Sequence, residues 1–149
     1  MIKVVDANKN KETFYNLVSL YGYEASMYVE EIGKTINEQG IFYIPGIERF
    51  VEEDSEAYVV FDDDHAIGFI CFTNENDQWM MDEIFVTKTY RKQEVINQIL
   101  DACLSDKEGV FQTHILKRQH DVCELVERYF PNIKKEELDP IAWLYTTTL

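Results

Sequence analysis

Polar and apolar positions alternate over residues 2–5, and that period of two predicts a short strand. The period then changes. Phe14, Leu17, Val18 and Tyr21 recur at steps of three and four, so they share one face of a helix over 11–21, with Asn8 or Asn10 as its cap. Gly22 interrupts the pattern. A second helix is expected over 24–39, striped by Ala25, Tyr28, Val29, Ile32 and Ile36 and closed by Gly40. Pro45-Gly46 signals a turn, and Ile47, Phe50 and Val51 fit a short helical turn. Residues 57–61 and 66–73 then read as two strands of a hairpin joined by Asp62-Asp63-Asp64. These three aspartates lack the twelve-residue ligand pattern of a calcium loop and read as a solvated turn.

A polar turn over 74–78 leads to the stretch that organises the chain, residues 80–103. Met80, Ile84, Phe85 and Val86 suit a buried strand. After a short polar turn, Val95, Ile96, Ile99, Leu100 and Cys103 return to helical spacing, which predicts a helix over 91–104. Arg91 and Lys92 stand at the start of that helix, where its free N–H groups point, and a strand that feeds a helix through a basic turn is a natural anion site. Another strand, 110–116, follows; strand, helix and strand at this spacing imply a right-handed crossover to a parallel neighbour. Val122, Cys123, Leu125, Val126 and Tyr129 stripe a last helix over 120–130, ended by Pro131, and strands are expected over 133–138 and 141–148. The fold class is α+β: one domain over 1–149, with a mixed, mostly antiparallel sheet flanked by helices on both faces.

The net charge is −14 and unevenly spread. Residues 1–75 hold 5 basic and 15 acidic side chains, and residues 76–149 hold 9 and 13. Such a chain is expected to repel nucleic acid and anionic membranes; its charge serves solubility or sets up a field that attracts a cationic substrate or a basic partner. Lys88, Arg91 and Lys92 are a local exception. No apolar run approaches the roughly 20 residues of a membrane helix. The first residues lack the apolar core of a signal peptide, so a cytoplasmic location is expected. Cys71, Cys103 and Cys123 are far apart and read as reduced, buried thiols. His65, His114 and His120 are scattered too, so no metal site is expected.

The order of two helices, a three-strand meander, a helix, a parallel strand, a helix and terminal strands resembles the GNAT superfamily of acyl-CoA-dependent N-acyltransferases. The likeness covers nearly the whole chain as a pattern and rests on residues 82–100 in detail. Phe85-Val86-Thr87-Lys88-Thr89-Tyr90-Arg91-Lys92 looks like the family's strand end and approach to its acyl-CoA loop. The loop form Gln/Arg-x-x-Gly-x-Gly/Ala falls on Arg91, Lys92, Gln93, Glu94, Val95 and Ile96. Arg91 matches, while Glu94 and Ile96 replace the two small residues that let backbone N–H groups approach a pyrophosphate.

The resemblance implies direct attack of an amine on the thioester of acetyl-CoA. The backbone N–H near Val86 would polarise the thioester carbonyl, and Glu83 would serve as general base, with Asp82 on the other face of the strand. The family's Tyr on the last helix, which protonates the departing thiolate, falls at Glu127; Tyr129 is the nearest hydroxyl and stands as the candidate acid. Phe85, Val86 and residues 91–96 are the expected donor site. The expected activity is N-acetyl transfer to an amine of a small molecule or peptide, with Glu24, Glu30, Glu31 and the run 52–54 favouring a cationic acceptor. The other reading is a GNAT-like domain that has lost catalysis and works as a binding or regulatory module, with a homodimer formed through the aromatic C-terminal strand.

Overall fold

The computed structural model describes residues 1–52 and 54–149; Glu53, in the acidic run 52–54, lies outside the described residues. Seven strands form one sheet among these residues: β1 (Ile2–Asp6), β2 (Glu56–Asp62), β3 (His65–Glu75), β4 (Gln78–Val86), β5 (Val110–Leu116), β6 (Lys134–Asp139) and β7 (Ala142–Thr148). Their order across the sheet is β1-β2-β3-β4-β5-β7-β6. Only the β4–β5 pair is parallel among them; the others are antiparallel. The meander is closed by tight turns in which Asp63, Asn76 and Asp77 take positive φ, a conformation that Asn and Asp tolerate better than most residues.

Helices cover both faces, as expected. On one face α1 (Lys11–Ala25) and a 3-10 turn, Ile47–Val51, bury Phe14, Leu17, Val18, Ile47, Phe50 and Val51 against Val59, Phe69, Cys71 and Phe85. On the other, α3 (Gln93–Leu104) and α4 (His120–Tyr129) close over Ile70, Phe72, Met81, Phe111, Ile115 and Tyr145. The period of two along the strands divides the two cores: Phe69, Cys71 and Phe85 go to the first, Ile70 and Phe72 to the second.

Two expectations about the helices fail, for local reasons. Gly22 does not interrupt α1, which runs on to Ala25. A Cβ at Gly22 would lie 2.6 Å from Phe42 Cβ, so the glycine makes room for that aromatic. The helix expected over 24–39 reduces to α2 (Glu30–Gly33). Side chains that bond the backbone compete with the helix there. Thr35 Oγ1 donates to Ile32 O at 2.7 Å, and Asn37 Oδ1 accepts from the N–H groups of Gln39 and Ile41 at 2.9 and 3.0 Å. Gly40 has φ +77° in the turn closed by its N–H to Asn37 O, and it caps no helix.

The start of β4 is fixed by a buried cation. Lys107, in the turn after α3, has a side chain only 1% exposed. Its ammonium lies 4.8 Å from the Trp79 ring centroid and 4.9 Å from that of Phe72. It donates to Cys103 O at 2.7 Å and pairs with Asp106 at 3.2 Å and Glu56 at 3.3 Å. This site joins β2, β3, β4 and the end of α3.

Candidate active site

β4 pairs with β3 along its length, but with β5 only from Gln78↔Val110 to Met81↔Thr113. Thr113 Oγ1 donates to Met81 O at 2.9 Å and marks the last rung. Beyond it the two strands part. At the same level β4 carries a bulge: Cys71 faces Glu83 and Phe72 faces Met81, so Asp82 is an extra residue. A bulge breaks the alternation of side chains. Asp82 was expected on the face opposite Glu83; instead both line one cleft on the α1 face.

That cleft holds about 180 Å³ and lies between α1 and the separating strands, with Tyr21 and Ala25 on one side and Asp82, Glu83, Ile84 and His114 on the other. Glu83 is its chemical centre. Burial raises the carboxyl pKa to about 7; the Tyr21 hydroxyl, which donates to it, pulls the other way, and the neighbouring Asp82 charge adds to the rise. Tyr21 itself is held well above its ordinary value, so it stays a donor. Its ring rests against Phe69 and Phe85, with centroids 5.6 Å away in each case. Asp82 accepts from Thr73 Oγ1 at 2.8 Å and pairs with Arg49 at 3.7 Å. The sequence marked Tyr21 only as part of an apolar stripe; its pairing with Glu83 depends on α1 crossing the sheet at the bulge.

The upper half of β4 also presents its backbone. Thr87 N–H donates to Ile67 O at 2.8 Å. Pairing alternates along antiparallel strands, so Ile84 and Val86 direct their N–H and C=O groups away from β3, to the side that β5 has left. Gly68 makes this fit possible. A Cβ there would lie 2.2 Å from Phe85 O.

The expected donor-loop residues divide. Lys92 and Glu94 are exposed, and Gln93 and Glu94, at the first two positions of α3, have no intrahelical acceptor for their N–H groups. Glu94 lines neither of the cavities beside β4. Phe85 belongs to the α1-face core, and Val95 and Ile96 to the core under α3 and α4. Gln93 Nε2 donates to Asn97 Oδ1 and Leu125 O at 2.9 and 3.1 Å, while its Oε1 is buried with no donor.

Arg91 does not point to the anion site at the helix start. Its side chain, 8% exposed, turns back into the opening between β4 and α4. Nε donates to Val86 O at 2.7 Å. The two terminal nitrogens meet Glu24 of α1 at 2.7 and 2.5 Å, and one of them reaches Asp121 of α4 at 3.1 Å. Next to this clasp a cavity of only about 10 Å³ remains, bounded by Arg91, Ile96, Leu125 and Val126, with Ile84 and Val122 on the side of the Glu83 cleft. Ile84 and Val122 border both cavities.

Tyr129 stands apart from this centre. Its hydroxyl donates to Asp101 Oδ1 on α3 at 2.8 Å, and its ring packs edge-on against Phe130. Glu127, at the position the family gives to tyrosine, accepts from Tyr145 and Lys135 at 2.6 and 3.3 Å.

The comparisons agree with this geometry. The model of the acetyltransferase (GNAT) family matches residues 17–137. A comparison with curated proteins finds no match. Among solved structures, the paia N-acetyltransferase from Thermoplasma acidophilum in complex with coenzyme A superposes with a TM-score of 0.70 at 14% identity, over 100% of this chain and 99% of that one. A probable acetyltransferase from Staphylococcus epidermidis gives 0.68 at 10% identity, over 99% of both chains. Arabidopsis thaliana Naa50 in complex with the bisubstrate analogue CoA-Ac-MVNAL gives 0.63 at 10%, again over 99% of both. At these identities the likeness is one of fold, and it is the family match over most of the chain, together with the parted strands and the bulge in β4, that places this protein in the acetyltransferase (GNAT) family.

Proposed function

We propose that the protein is an N-acetyltransferase that moves an acetyl group from acetyl-CoA to an amine, with Glu83 as the general base. The observation that carries this reading is the Glu83 carboxyl, poised near pH 7 in a cleft where β4 and β5 separate. A base works best with a pKa near the operating pH. Glu83 takes a proton from the attacking amine, directly or through water. The Val86 and Ile84 N–H groups face the region where the thioester oxygen gains charge, and a donor already in place stabilises an oxyanion without reorganising. The nitrogen–carbon bond forms, the carbon–sulfur bond breaks, and the thiolate leaves with a proton from water or from a group in the cleft. Tyr129, bonded to Asp101, is not needed for this route.

For the donor, Lys88, Lys92 and the first N–H groups of α3 would face the phosphates. The acceptor amine meets a cleft whose two carboxylates, Asp82 and Glu83, favour a cation approaching it, and the wider acidic charge of the first half of the chain steers it there. Glu30 and Glu31 are exposed and share Lys34, at 4.0 and 3.3 Å. Charge neutralisation of both is expected to weaken acceptor binding. A peptide amine is one such acceptor, as the peptide-containing analogue in the Naa50 complex illustrates for that protein.

One observation favours a second reading, a domain that binds without transferring: the cavity of about 10 Å³ leaves no room for a pantetheine arm while Arg91 is in place. Calorimetric titration with acetyl-CoA and CoA, followed by a thiol-release assay with a panel of amines, separates the two. Binding with release of CoA establishes transfer; binding of neither nucleotide at millimolar concentration removes it.

A further inference from the structure

The two cavities share Ile84 and Val122 in their linings, which makes them the two ends of one interrupted path past the upper half of β4. One end opens on the α1 face beside Glu83. The other reaches the α3–α4 face beside Ile96 and Leu125. The parting of β4 and β5 creates the passage, and Arg91 fills it. Arg91 ties three elements together: it bonds Val86 O at the end of β4, Glu24 at the end of α1 and Asp121 at the start of α4.

We propose that Arg91 is the residue that controls donor entry, its clasp with Glu24 and Asp121 holding the passage shut until the donor displaces it. This rests on the acyl-CoA reading above and adds to it how that site is regulated. In the closed state the guanidinium gives four hydrogen bonds to Val86 O, Glu24 and Asp121, and the two carboxylates neutralise its charge where it lies. A planar, five-donor guanidinium bridges a carbonyl and two carboxylates in a way that a single ammonium does not. Released, the same side chain becomes a free cation at the edge of the α3 N-terminus, beside Lys88 and Lys92. A closed state of this kind lowers apparent affinity by the fraction of molecules that are open. The occupied groove and the retained base are then two states of one site.

The clasp can be loosened without removing the cation. Glu24→Gln and Asp121→Asn keep side-chain size and drop the charges, and Arg91→Lys keeps the charge and loses the fork. Calorimetric titration of CoA into the wild-type protein, the Glu24→Gln/Asp121→Asn variant and Arg91→Lys, with folding checked by circular dichroism, reads the effect. Tighter CoA binding by the double variant, by about tenfold if nine in ten wild-type molecules are closed, supports the proposal. Faster amide exchange over 84–91 and 119–126 in the ligand-free double variant is expected alongside it. Equal CoA affinity in the wild-type protein and the folded double variant overturns the clasp alone. No CoA binding by any of the three proteins overturns the donor reading and the clasp with it. If Arg91→Lys folds poorly, the double variant decides the question by itself.

Discussion

The two ends of the opening between β4 and β5 are built differently. On the α1 face there is space, about 180 Å³, and among the mostly aliphatic residues that border it stand four titratable ones, Glu83, Tyr21, Asp82 and His114. On the α3–α4 face there is almost none, about 10 Å³, and the lining is aliphatic apart from Arg91, whose charge is already met. A proton acceptor near neutrality is costly to maintain, because its carboxylate must give up water. A filled groove is inexpensive, since Ile96, Leu125 and Val126 bury apolar surface there. On the proposed reading, the open end serves the chemistry and the closed end is the resting form of the same structure.

The largest expected effect breaks the contrast at its open end. Glu83→Gln is expected to lower the transfer rate by about 100-fold, the lower range for loss of a general base, while CoA binding stays unchanged. A rate within a few-fold of wild type would remove Glu83 from the mechanism. The same variant changes stability with a defined sign. Below about pH 4.5 the folded and unfolded chains both hold the Glu83 proton. As pH rises toward 7 the unfolded chain loses it first, because burial raises the folded pKa to about 7. Stability therefore falls through that window by an amount on the order of 3 kcal/mol. Glu83→Gln is expected to raise the melting temperature at pH 8 and to leave it near wild type at pH 4.

Gly68→Ala tests whether the β3–β4 seam sets the opening. Its methyl group meets Phe85 O, a backbone atom with no room to yield. A loss of about 2 kcal/mol is expected in urea unfolding, within the range for overpacking, together with weaker ligand binding. Tyr21→Phe sharpens the open end. It removes the hydrogen bond that stabilises the Glu83 carboxylate, so the rising limb of the pH–rate profile is expected to move up by about one unit, the scale of one charged hydrogen bond. A downward shift would mean that Tyr21 acts on Glu83 in some other way. The smallest effect is expected at Tyr129→Phe, whose hydroxyl serves Asp101: a rate change under about threefold, with stability down by about 1 kcal/mol. A loss of a hundredfold would reinstate Tyr129 as the acid.

Much of the fold was legible because each core strand has one clear period. Alternation and helical spacing placed the meander, the crossover to β5 and the last helix, and these elements carry the two cores. The region 26–46 was not legible in the same way. Its apolar residues have helical spacing, yet Thr35 and Asn37 spend the backbone on local hydrogen bonds, which hydropathy does not register. In the site, Glu83 could be read from its place on the strand that leads to the basic turn. The position of Asp82 could not, because a bulge inserts one residue and reverses the parity of all that follows. Arg91 was legible as a cation but not as an ion-paired one. Its partners lie 67 and 30 residues away, and only the meeting of α1, α4 and the end of β4 brings them within reach.

The caged Lys107 bears on this in a mechanical sense. Its ammonium, set among Trp79, Phe72 and the Cys103 carbonyl, ties the first half of β4 to β3 and to the end of α3, while β5 pairs along the other edge. The second half, past Met81, is held on one side alone. β4 is thus a beam clamped at one end and tethered along a single edge, and the bulge at Asp82 is where such a beam bends most easily. On the proposed reading, rotation about that point would carry Val86 and Arg91 furthest, and a donor meeting the loop would be felt at Glu83 through the strand itself.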